Sequence, residues 1–192
     1  MSDMEDDDAP MSVSRRRPNI LITGSPGVGK TCTAASIAKT MGSDMVHVNV
    51  GKFAEEHKCY EGRDEELDTN ILDEDKLLDL LEIQFQQLAA ANKGIVADFH
   101  VCEIFPERFF DLVLVLRTKT ETLFDRLTAR GYSERKRSEN MEAEIMQVIL
   151  EEARASYATE IVHEVPSNTV ADLQSNVQRA CQWCDQWVAD HT

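Results

Sequence analysis

The 192-residue sequence has no long apolar run and comparatively few basic residues. No stretch comes near the roughly 18 apolar residues that span a bilayer, and the first eight residues are mostly acidic, so we expect neither a membrane anchor nor a secretory signal. Only 20 Lys and Arg oppose 35 Asp and Glu, which gives a formal net charge of −15. This charge argues against broad nucleic-acid binding, and we expect no direct sequence-specific binding either.

Cysteine is scarce and irregularly placed. The five cysteines, an odd number at scattered positions, predict free thiols in a reducing compartment. Two of them form Cys181-Gln-Trp-Cys184 inside a long helical pattern. No second ligand pair with zinc spacing accompanies them, so we favour core packing or surface thiols over a metal or redox function.

The length of the chain allows one compact domain and leaves little room for a second. We expect residues 1–17 to form a tail, because Met1 to Asp8 has almost nothing to bury, and residues 18–192 to form a single domain. The tail ends in a short basic cluster, residues 14–18. This cluster is either part of a nuclear address or a solvated edge of the domain.

Residues 24–31 fit the phosphate-binding loop pattern G-x-x-x-x-G-K-[ST]. An apolar strand candidate, residues 19–23, precedes the loop, and a helix candidate, residues 31–41, follows it. Backbone N–H groups of the glycines and the helix N-terminus are suited to phosphate oxygens. We expect Lys30 to reach the β- and γ-phosphates and the hydroxyl of Thr31 to hold Mg²⁺.

Strand candidates alternate with helix candidates along the rest of the chain. The strand candidates are residues 45–50, 94–98, 112–116 and 161–165, and the helix candidates are residues 72–88, 120–130, the amphipathic stretch 141–157, and a C-terminal helix. This alternation predicts right-handed crossovers and a mainly parallel sheet of about five strands. The expected fold class is three-layer α/β, with helices on both faces of the sheet and ligands at the carboxyl ends of the strands.

A second chemical group follows the strand candidate 94–98. Asp98 stands at its carboxyl end, where it either binds Mg²⁺, in part through water, or caps a neighbouring turn. His100 would share a face with Asp98 in an extended segment. We interpret His100 either as a hydrogen-bonding structural residue or as a site residue that orients water or substrate, not as a general base.

A third group is cationic. Arg126 and Arg130 lie four residues apart on a helix candidate and would project from one face. Arginines match phosphate oxygens, and phosphoryl transfer needs such charge compensation. Alternatively, the two arginines belong to a solvated face paired with Glu121 and Asp125.

The helix candidate stops at Gly131, and a segment rich in basic residues follows. We expect residues 132–140, with Arg135, Lys136 and Arg137, to form a mobile cationic flap. A flap beside a phosphate site would act as a lid that excludes water and completes the site.

Several motifs occur in an order typical of one family. They are residues 18–31, Ile71-Leu-Asp-Glu-Asp75, Asp98-Phe-His100, Phe105-Pro-Glu-Arg108, Leu116-Arg-Thr118, Thr128 to Tyr132 and Pro166-Ser-Asn168. With these motifs the chain resembles, over about residues 18–190, the adenylate kinase isoenzyme 6 family, the coilin-interacting nuclear ATPases. The most selective of the motifs are Asp-x-His followed by Phe-Pro-Glu-Arg, and Ile-Leu-Asp-Glu-Asp.

The resemblance implies a fold, an activity and a cellular role. The fold would be that of the P-loop nucleoside monophosphate kinases with a short lid, and the activity would be Mg²⁺-dependent phosphoryl transfer between ATP and AMP, with a slower ATPase activity. The role would be maturation of small-subunit ribosomal RNA in the nucleus, and also in the cytoplasm, with a basic small-subunit ribosomal protein as partner. We expect a monomer. An assembly ATPase with little kinase activity, or a kinase for another small acceptor, is the alternative.

The resemblance also assigns residues. The ATP loop would comprise Gly27, Val28, Gly29, Lys30, Thr31 and Cys32, where the family commonly has Thr in place of Cys32. Residues 49–72 would form the monophosphate-binding segment and residues 129–139 the lid, with Arg130 contacting ATP. AMP would meet Asn49, Val50, Gly51, His100 and Arg108, and Lys30, Arg126, Arg130, Asp98 and His100 would carry catalysis. Other positions also depart from the family pattern. Glu55 stands where a basic residue is common, Lys52 where an acidic residue is common, and Thr169 where Lys is common. Val101 and Glu103 replace the usual Gly and Asp.

Overall fold

A computed structural model of the protein describes residues 15–65 and 69–191. The strands are β1 (Asn19–Thr23), β2 (Met45–Asn49), β3 (Tyr60–Asp64), β4 (Thr69–Leu72), β5 (Gly94–Asp98), β6 (Leu112–Arg117) and β7 (Val162–Pro166). The helices are α1 (Lys30–Met41), α2 (Val50–Glu56), α3 (Glu74–Ala90), α4 (Thr120–Ala129), α5 (Glu134–Ile145), α6 (Val148–Ser156) and α7 (Val170–Asp190). Residues 1–14 of the expected tail lie outside the described residues.

Five strands form one parallel sheet in the order β2-β5-β1-β6-β7, and β3 and β4 form a separate antiparallel hairpin. The three-layer α/β prediction is confirmed, because both faces of the sheet are covered. Along β1, Leu21 packs with the apolar side chains of α3 and α6 on one face, whereas Ile20 and Ile22 pack with those of α1, α4 and α7 on the other. A strand buried on both faces carries a continuous apolar run, as β1 does at Ile20, Leu21 and Ile22 between the polar residues Asn19 and Thr23.

The carboxyl ends of the parallel strands meet at one edge of the sheet. Asp98 at the end of β5 pairs in register with Ile22 of β1 and Asn49 of β2, and Arg117 at the end of β6 pairs with Pro166 of β7. Residues that are far apart in sequence therefore come together at this edge, next to residues 24–31.

The region after α4 is organised differently from two expectations, while the lid role of residues 129–139 stays a prediction. The expected flap, residues 132–140, is mostly helix, because Ser133 accepts a hydrogen bond from the backbone N–H of Lys136 and caps α5. The expected single helix 141–157 is broken into α5 and α6 at Gln147, whose φ is 59°. The break leaves Ile145 and Met146 exposed.

Two further regions refine the sequence analysis. Between the strand candidate 45–50 and the helix candidate 72–88, where the sequence offered no candidate, the structure has most of α2 and of the strands β3 and β4. The cysteines are free, and Cys181 and Cys184 are buried in the core between α7 and the sheet, as expected for core packing.

Within residues 15–65 and 69–191, none of the helices has the length and apolar character that crossing a membrane requires.

Residues of the basic cluster lie at the edge of the domain. Arg15 pairs with Asp111 at 2.9 Å, and Arg17 pairs with Asp44 at 2.7 Å. Both contacts fit the interpretation of this cluster as a solvated domain edge.

Candidate active site

The phosphate loop joins β1 to α1 through three glycines with positive φ. Gly24, Gly27 and Gly29 have φ of 140°, 90° and 98°, a region that side chains with a Cβ rarely adopt. A Cβ on Gly24 would also lie 2.7 Å from the backbone oxygen of Leu116 in β6. The loop therefore needs glycine at position 24 for its conformation and for its close approach to β6.

Lys30 is the first residue of α1 and folds back over the phosphate loop. Its Nζ donates to the backbone oxygens of Gly24 at 2.8 Å and Ser25 at 2.9 Å. The pKa of Lys30 is lowered from 10.5 to about 8, mainly by burial; the charge of Asp98 opposes this shift and the charge of Arg130 contributes to it. A partly desolvated ammonium group at this position is suited to bind phosphate oxygens.

The carboxylate of Asp98 is the centre of a polar cluster at the end of β5. Thr31 Oγ1 donates to Asp98 Oδ2 at 2.7 Å, and Asn49 Nδ2 donates to the same oxygen at 3.0 Å. His47 Nε2 lies 2.6 Å from Asp98 Oδ1. The sequence analysis missed His47, because only the pairing of β2 with β5 brings it beside Asp98.

The oxygens of Thr31 and Asp98 are of the type that Mg²⁺ prefers. They lie 2.7 Å apart, at the start of α1 and the end of β5, beside Lys30. The two residues therefore fit the magnesium-binding role that the sequence suggested for them.

A cavity of about 410 Å³ opens beside the phosphate loop. This volume lies within the range typical of small-molecule sites, about 300–1,000 Å³. Residues of the phosphate loop and the start of α1 line it together with residues from the segment around α5. The lining residues are Pro26, Gly27, Gly29, Lys30, Thr31, Cys32, Thr69, His100, Arg130, Tyr132, Lys136 and Asn140.

Two residues expected in the site face this cavity from outside the phosphate loop. His100 follows β5, and its pKa is lowered below 6.5 by burial and, to a lesser extent, by the charge of Lys30. Its imidazole is therefore mainly neutral at pH 7 and can both donate and accept a hydrogen bond. Arg130, which caps the end of α4, supplies a permanent positive charge to the cavity.

Arg126 has a different environment from Arg130. Its guanidinium donates to the backbone oxygens of Ser167 at 2.9 Å and Asn168 at 3.1 Å, in the loop between β7 and α7, and it is not among the residues that line the cavity. These carbonyls hold the guanidinium of Arg126, which also lies 3.4 Å from the backbone oxygen of Gly27 in the phosphate loop. The expectation that Arg126 neutralises charge on the transferred phosphoryl group stays a prediction. Arg126 fixes the β7–α7 loop next to the phosphate loop, where Ser167 Oγ donates to the backbone oxygen of Val28 at 2.6 Å.

We expect Arg126→Ala to lower the stability of the protein more than its turnover at saturating ATP. The substitution leaves the carbonyls of Ser167 and Asn168 without a charged donor, which costs about 1–3 kcal/mol of the free energy of unfolding. Chemical denaturation measures the change in stability, and kcat at saturating ATP measures the change in turnover. The matched control is Arg135→Ala, which removes an exposed pair with Glu139 and should change stability by less than about 0.5 kcal/mol. Unchanged stability together with a large loss of turnover would contradict the structural role.

Arg108 lies at the edge of the sheet opposite the phosphate loop. It pairs with Glu82 of α3 at 2.8 Å, and the oxygen of its neighbour Phe109 accepts a hydrogen bond from Asn19 at the amino end of β1. The length of β1 therefore separates Arg108 from the phosphate loop, and its contact with AMP stays a prediction that this position does not support.

The three other residues expected to meet AMP lie where β2 turns into α2. Asn49 caps α2, its Oδ1 accepting from the N–H of Lys52 at 2.8 Å, and its amide contacts Asp98. Val50 is fully buried in the core, and Gly51 continues the first turn of α2. Asn49 alone of the three has a polar side chain beside the phosphate-loop residues.

Helix α5 brings further polar residues to the site. Lys136, expected as part of a cationic flap, lines the cavity together with Asn140. Glu144, which the sequence did not single out, accepts a hydrogen bond from Ser25 of the phosphate loop at 2.6 Å. The basic residues of segment 132–140 indicated a positive charge near the site, but their spacing in the sequence did not show which of them face the phosphate loop.

Comparison with known proteins gives three findings. The family described as an AAA domain matches residues 20–147. An adenylate kinase isoenzyme 6 homolog of Caenorhabditis elegans is 46% identical over 179 residues, which cover 93% of this chain and 96% of that protein. A homolog of the same description from Dictyostelium discoideum is 46% identical over 177 residues, which cover 92% of this chain and 97% of that protein.

Among solved structures, a sugar kinase from Janibacter has the same fold. It superposes with a TM-score of 0.55 and 17% sequence identity, covering 88% of this chain and 95% of that one. At this identity the likeness establishes the architecture and says nothing about the acceptor.

Proposed function

Because the chain belongs to the adenylate kinase isoenzyme 6 family of nucleotide kinases, we propose that it transfers the γ-phosphoryl group of ATP to AMP. The observation that carries this proposal is the single cavity faced by Lys30 and Thr31 of the phosphate loop and by His100 and Arg130. Phosphoryl transfer requires little covalent chemistry from the protein and much positioning and charge compensation. The cavity offers both.

On the donor side, the phosphate loop and Lys30 bind the phosphates of ATP. The glycine conformations expose backbone N–H groups at the start of α1, where the helix dipole adds partial positive charge. Lys30 and Arg130 both line the cavity. Their charges offset the negative charge on the oxygens of the transferred group.

Thr31 and Asp98 are the residues that would hold the Mg²⁺ ion of Mg-ATP. Bound Mg²⁺ neutralises phosphate charge and favours departure of ADP. Asp98 keeps a fixed orientation because Thr31, His47 and Asn49 all contact its carboxylate. Asn49 and His47 thus hold Asp98 in place for this role.

On the acceptor side, we assign AMP to the space next to His100 and the start of α2. A neutral His100 can hydrogen-bond the monophosphate without acting as a general base. Glu55 of α2 is exposed and carries a negative charge that disfavours a nearby monophosphate, so AMP affinity is expected to be modest.

Closure of the lid, residues 129–139, would exclude water so that AMP and not solvent accepts the phosphoryl group. Incomplete closure would leave ATP hydrolysis as a side reaction. We therefore propose ATPase activity as a second, slower activity of the same site.

The test is an assay with Mg-ATP alone and with Mg-ATP plus AMP, in which ADP and inorganic phosphate are resolved. We expect AMP to increase ADP formation greatly without a matching release of phosphate. Replacing AMP by CMP, GMP or UMP in parallel reactions gives the acceptor preference. Equal phosphate release with and without AMP, and no extra ADP, would sink the kinase proposal.

A second candidate function is that of an assembly ATPase that holds a basic small-subunit ribosomal protein. The exposed carboxylates of α2, the β3–β4 hairpin and α3 favour it, namely Glu55, Glu56, Glu61, Glu65, Glu74, Asp75 and Asp79. Such a surface attracts a basic partner by charge. ATP hydrolysis that such a partner stimulates, in the absence of AMP, would favour this function over the kinase.

We also propose that the protein acts as a monomer in the nucleus, and in the cytoplasm as well, during maturation of the small ribosomal subunit. The support is the family membership alone. Exclusion of a fluorescent fusion from the nucleus would count against the nuclear role.

A further inference from the structure

Glu144 is buried at the last turn of the lid helix α5, in an otherwise exposed polar helix. Among the residues of α5, all of which the structure describes, it is the one buried side chain, at 5% exposure. A buried carboxylate is costly unless its oxygens accept hydrogen bonds or meet a positive charge. Its partners therefore determine where this end of α5 can lie.

The carboxylate of Glu144 joins α5 to two other segments. Oε2 accepts from Ser25 Oγ at 2.6 Å, and Oε1 accepts from Arg117 Nε at 2.7 Å and from the N–H of Thr118 at 3.1 Å. Arg117 Nη2 also donates to the backbone oxygen of Glu144 at 2.9 Å. The end of α5 is thus attached both to the phosphate loop and to the end of β6.

Ser25 connects the attached end of α5 to Lys30, the lysine of the phosphate loop. Ser25 is itself 1% exposed, and its backbone oxygen accepts from Lys30 Nζ at 2.9 Å. The side chain of Ser25 therefore contacts Glu144 while its carbonyl contacts Lys30.

The same face of α5 that carries Glu144 also faces the nucleotide cavity. Residues four apart on a helix share a face, and Lys136, Asn140 and Glu144 are spaced in this way. Lys136 and Asn140 line the cavity. From Lys136 to Glu144 the helix rises by about 12 Å, so the anchored end sets the height and angle of the two cavity residues above the phosphate loop.

The chain turns directly after the anchor. Gln147 adopts φ 59° and ψ 30°, and α6 then packs its buried residues Leu150 and Ala153 into the core on the other face of the sheet. The carboxyl end of α5 is therefore held in place by Glu144 and by the core-packed helix α6 that follows.

We propose that Glu144 is a positioning residue that fixes the lid helix against the phosphate loop and so determines whether the phosphoryl group passes to the acceptor nucleotide or to water. This inference rests on the proposed kinase function. Glu144 itself touches no substrate. It acts through Ser25 on the loop and through α5 on Lys136 and Asn140.

The test compares Ser25→Ala and Glu144→Gln with matched controls on the same helix. Ser25→Ala removes the link to the phosphate loop and keeps the contact of Glu144 with Arg117, whereas Glu144→Gln keeps the shape and removes the charge. The controls are Ser138→Ala and Glu142→Gln, both at exposed positions of α5. If one test variant fails to fold, the other still answers the question.

Two measurements are made on the full-length chain. Amide hydrogen exchange of residues 134–145 without nucleotide reports whether the anchor holds α5, and we expect exchange to be about tenfold faster in both test variants than in the controls. The ratio of phosphate release to AMP-dependent ADP formation reports the acceptor choice, and we expect it to rise by about tenfold, with the Kd for ATP changed by less than about threefold.

Unchanged hydrogen exchange in both test variants would overturn the anchor. Faster exchange with an unchanged product ratio would overturn its role in acceptor choice. Failure of the proposed function has a different signature, since the unsubstituted protein would then form no AMP-dependent ADP, and the exchange measurement would still test the anchor.

Discussion

Replacing Lys30 by alanine is expected to abolish both phosphoryl transfer to AMP and ATP hydrolysis. Lys30 begins α1 and bonds the phosphate loop at Gly24 and Ser25. Removing one preorganised charged donor from a transition state commonly costs about 10²–10³ in rate, and Lys30 would contact both the bound and the transferred phosphates. We therefore expect both rates to fall by at least about 10³. The assay is run at pH 7, where a pKa of about 8 leaves most of the ammonium group charged.

The matched control for this substitution is Lys39→Ala. Lys39 lies in the last turn of the same helix and is exposed, so its loss should leave both rates near those of the unsubstituted protein. Circular dichroism of both variants separates loss of activity from loss of fold. Persistence of either activity in a folded Lys30→Ala variant would show that the phosphate loop is not the site of turnover.

The second large effect is expected from Asp98→Asn. The amide keeps the size of the carboxylate but lacks its charge, and three side chains, those of Thr31, His47 and Asn49, converge on the carboxylate oxygens. The variant should lose about 10²–10³ in transfer rate at a fixed Mg²⁺ concentration. It should also need a higher Mg²⁺ concentration for half-maximal activity, which a magnesium titration of the initial rate measures.

Asp111→Asn is the control for removal of a largely buried carboxylate. Asp111 accepts from Arg15 and from the backbone of Asn19 at the opposite edge of the sheet, so its loss should lower stability without a change in magnesium dependence. A magnesium requirement that stays the same in Asp98→Asn would remove Asp98 from the metal site. In that case, a residue other than Asp98 would bind Mg²⁺ together with the hydroxyl of Thr31.

The parts of the fold that depend on local sequence were predictable. The strand candidates 19–23 and 94–98 match β1 and β5 to the residue, because a strand buried on both faces is a short unbroken apolar run. The phosphate loop was predictable for a similar reason, since its glycines, Lys30 and Thr31 are contiguous in sequence. Periodicity and spacing suffice where the interacting residues are neighbours along the chain.

The residues that the sequence did not reveal depend on contacts between distant segments. His47 lies beside Asp98 only because β2 pairs with β5. Arg126 and Arg130 share a helical spacing, but the carbonyls of the β7–α7 loop hold the first, and only the second faces the cavity. No rule of spacing distinguishes these two arginines.

The break between α5 and α6 shows a different limit. Apolar residues continue at helical spacing through residues 141–157, yet Ile145 is 59% exposed and its neighbour Glu144 is 5% exposed. The ion pair with Arg117 outweighs the apolar pattern at this point. A buried carboxylate cannot be predicted from a helical pattern, because its partner lies 27 residues away.

The central position of β1 has a consequence for the synthesis of the chain. β1 pairs with residues 95–98 of β5 on one side and residues 112–115 of β6 on the other, and Gly24 packs against Leu116. Contacts between such distant segments form late and slowly. The nascent chain therefore cannot complete the contacts of its phosphate loop until β6 has left the ribosome, and during that interval the apolar β1 lacks both of its neighbouring strands and is open to aggregation.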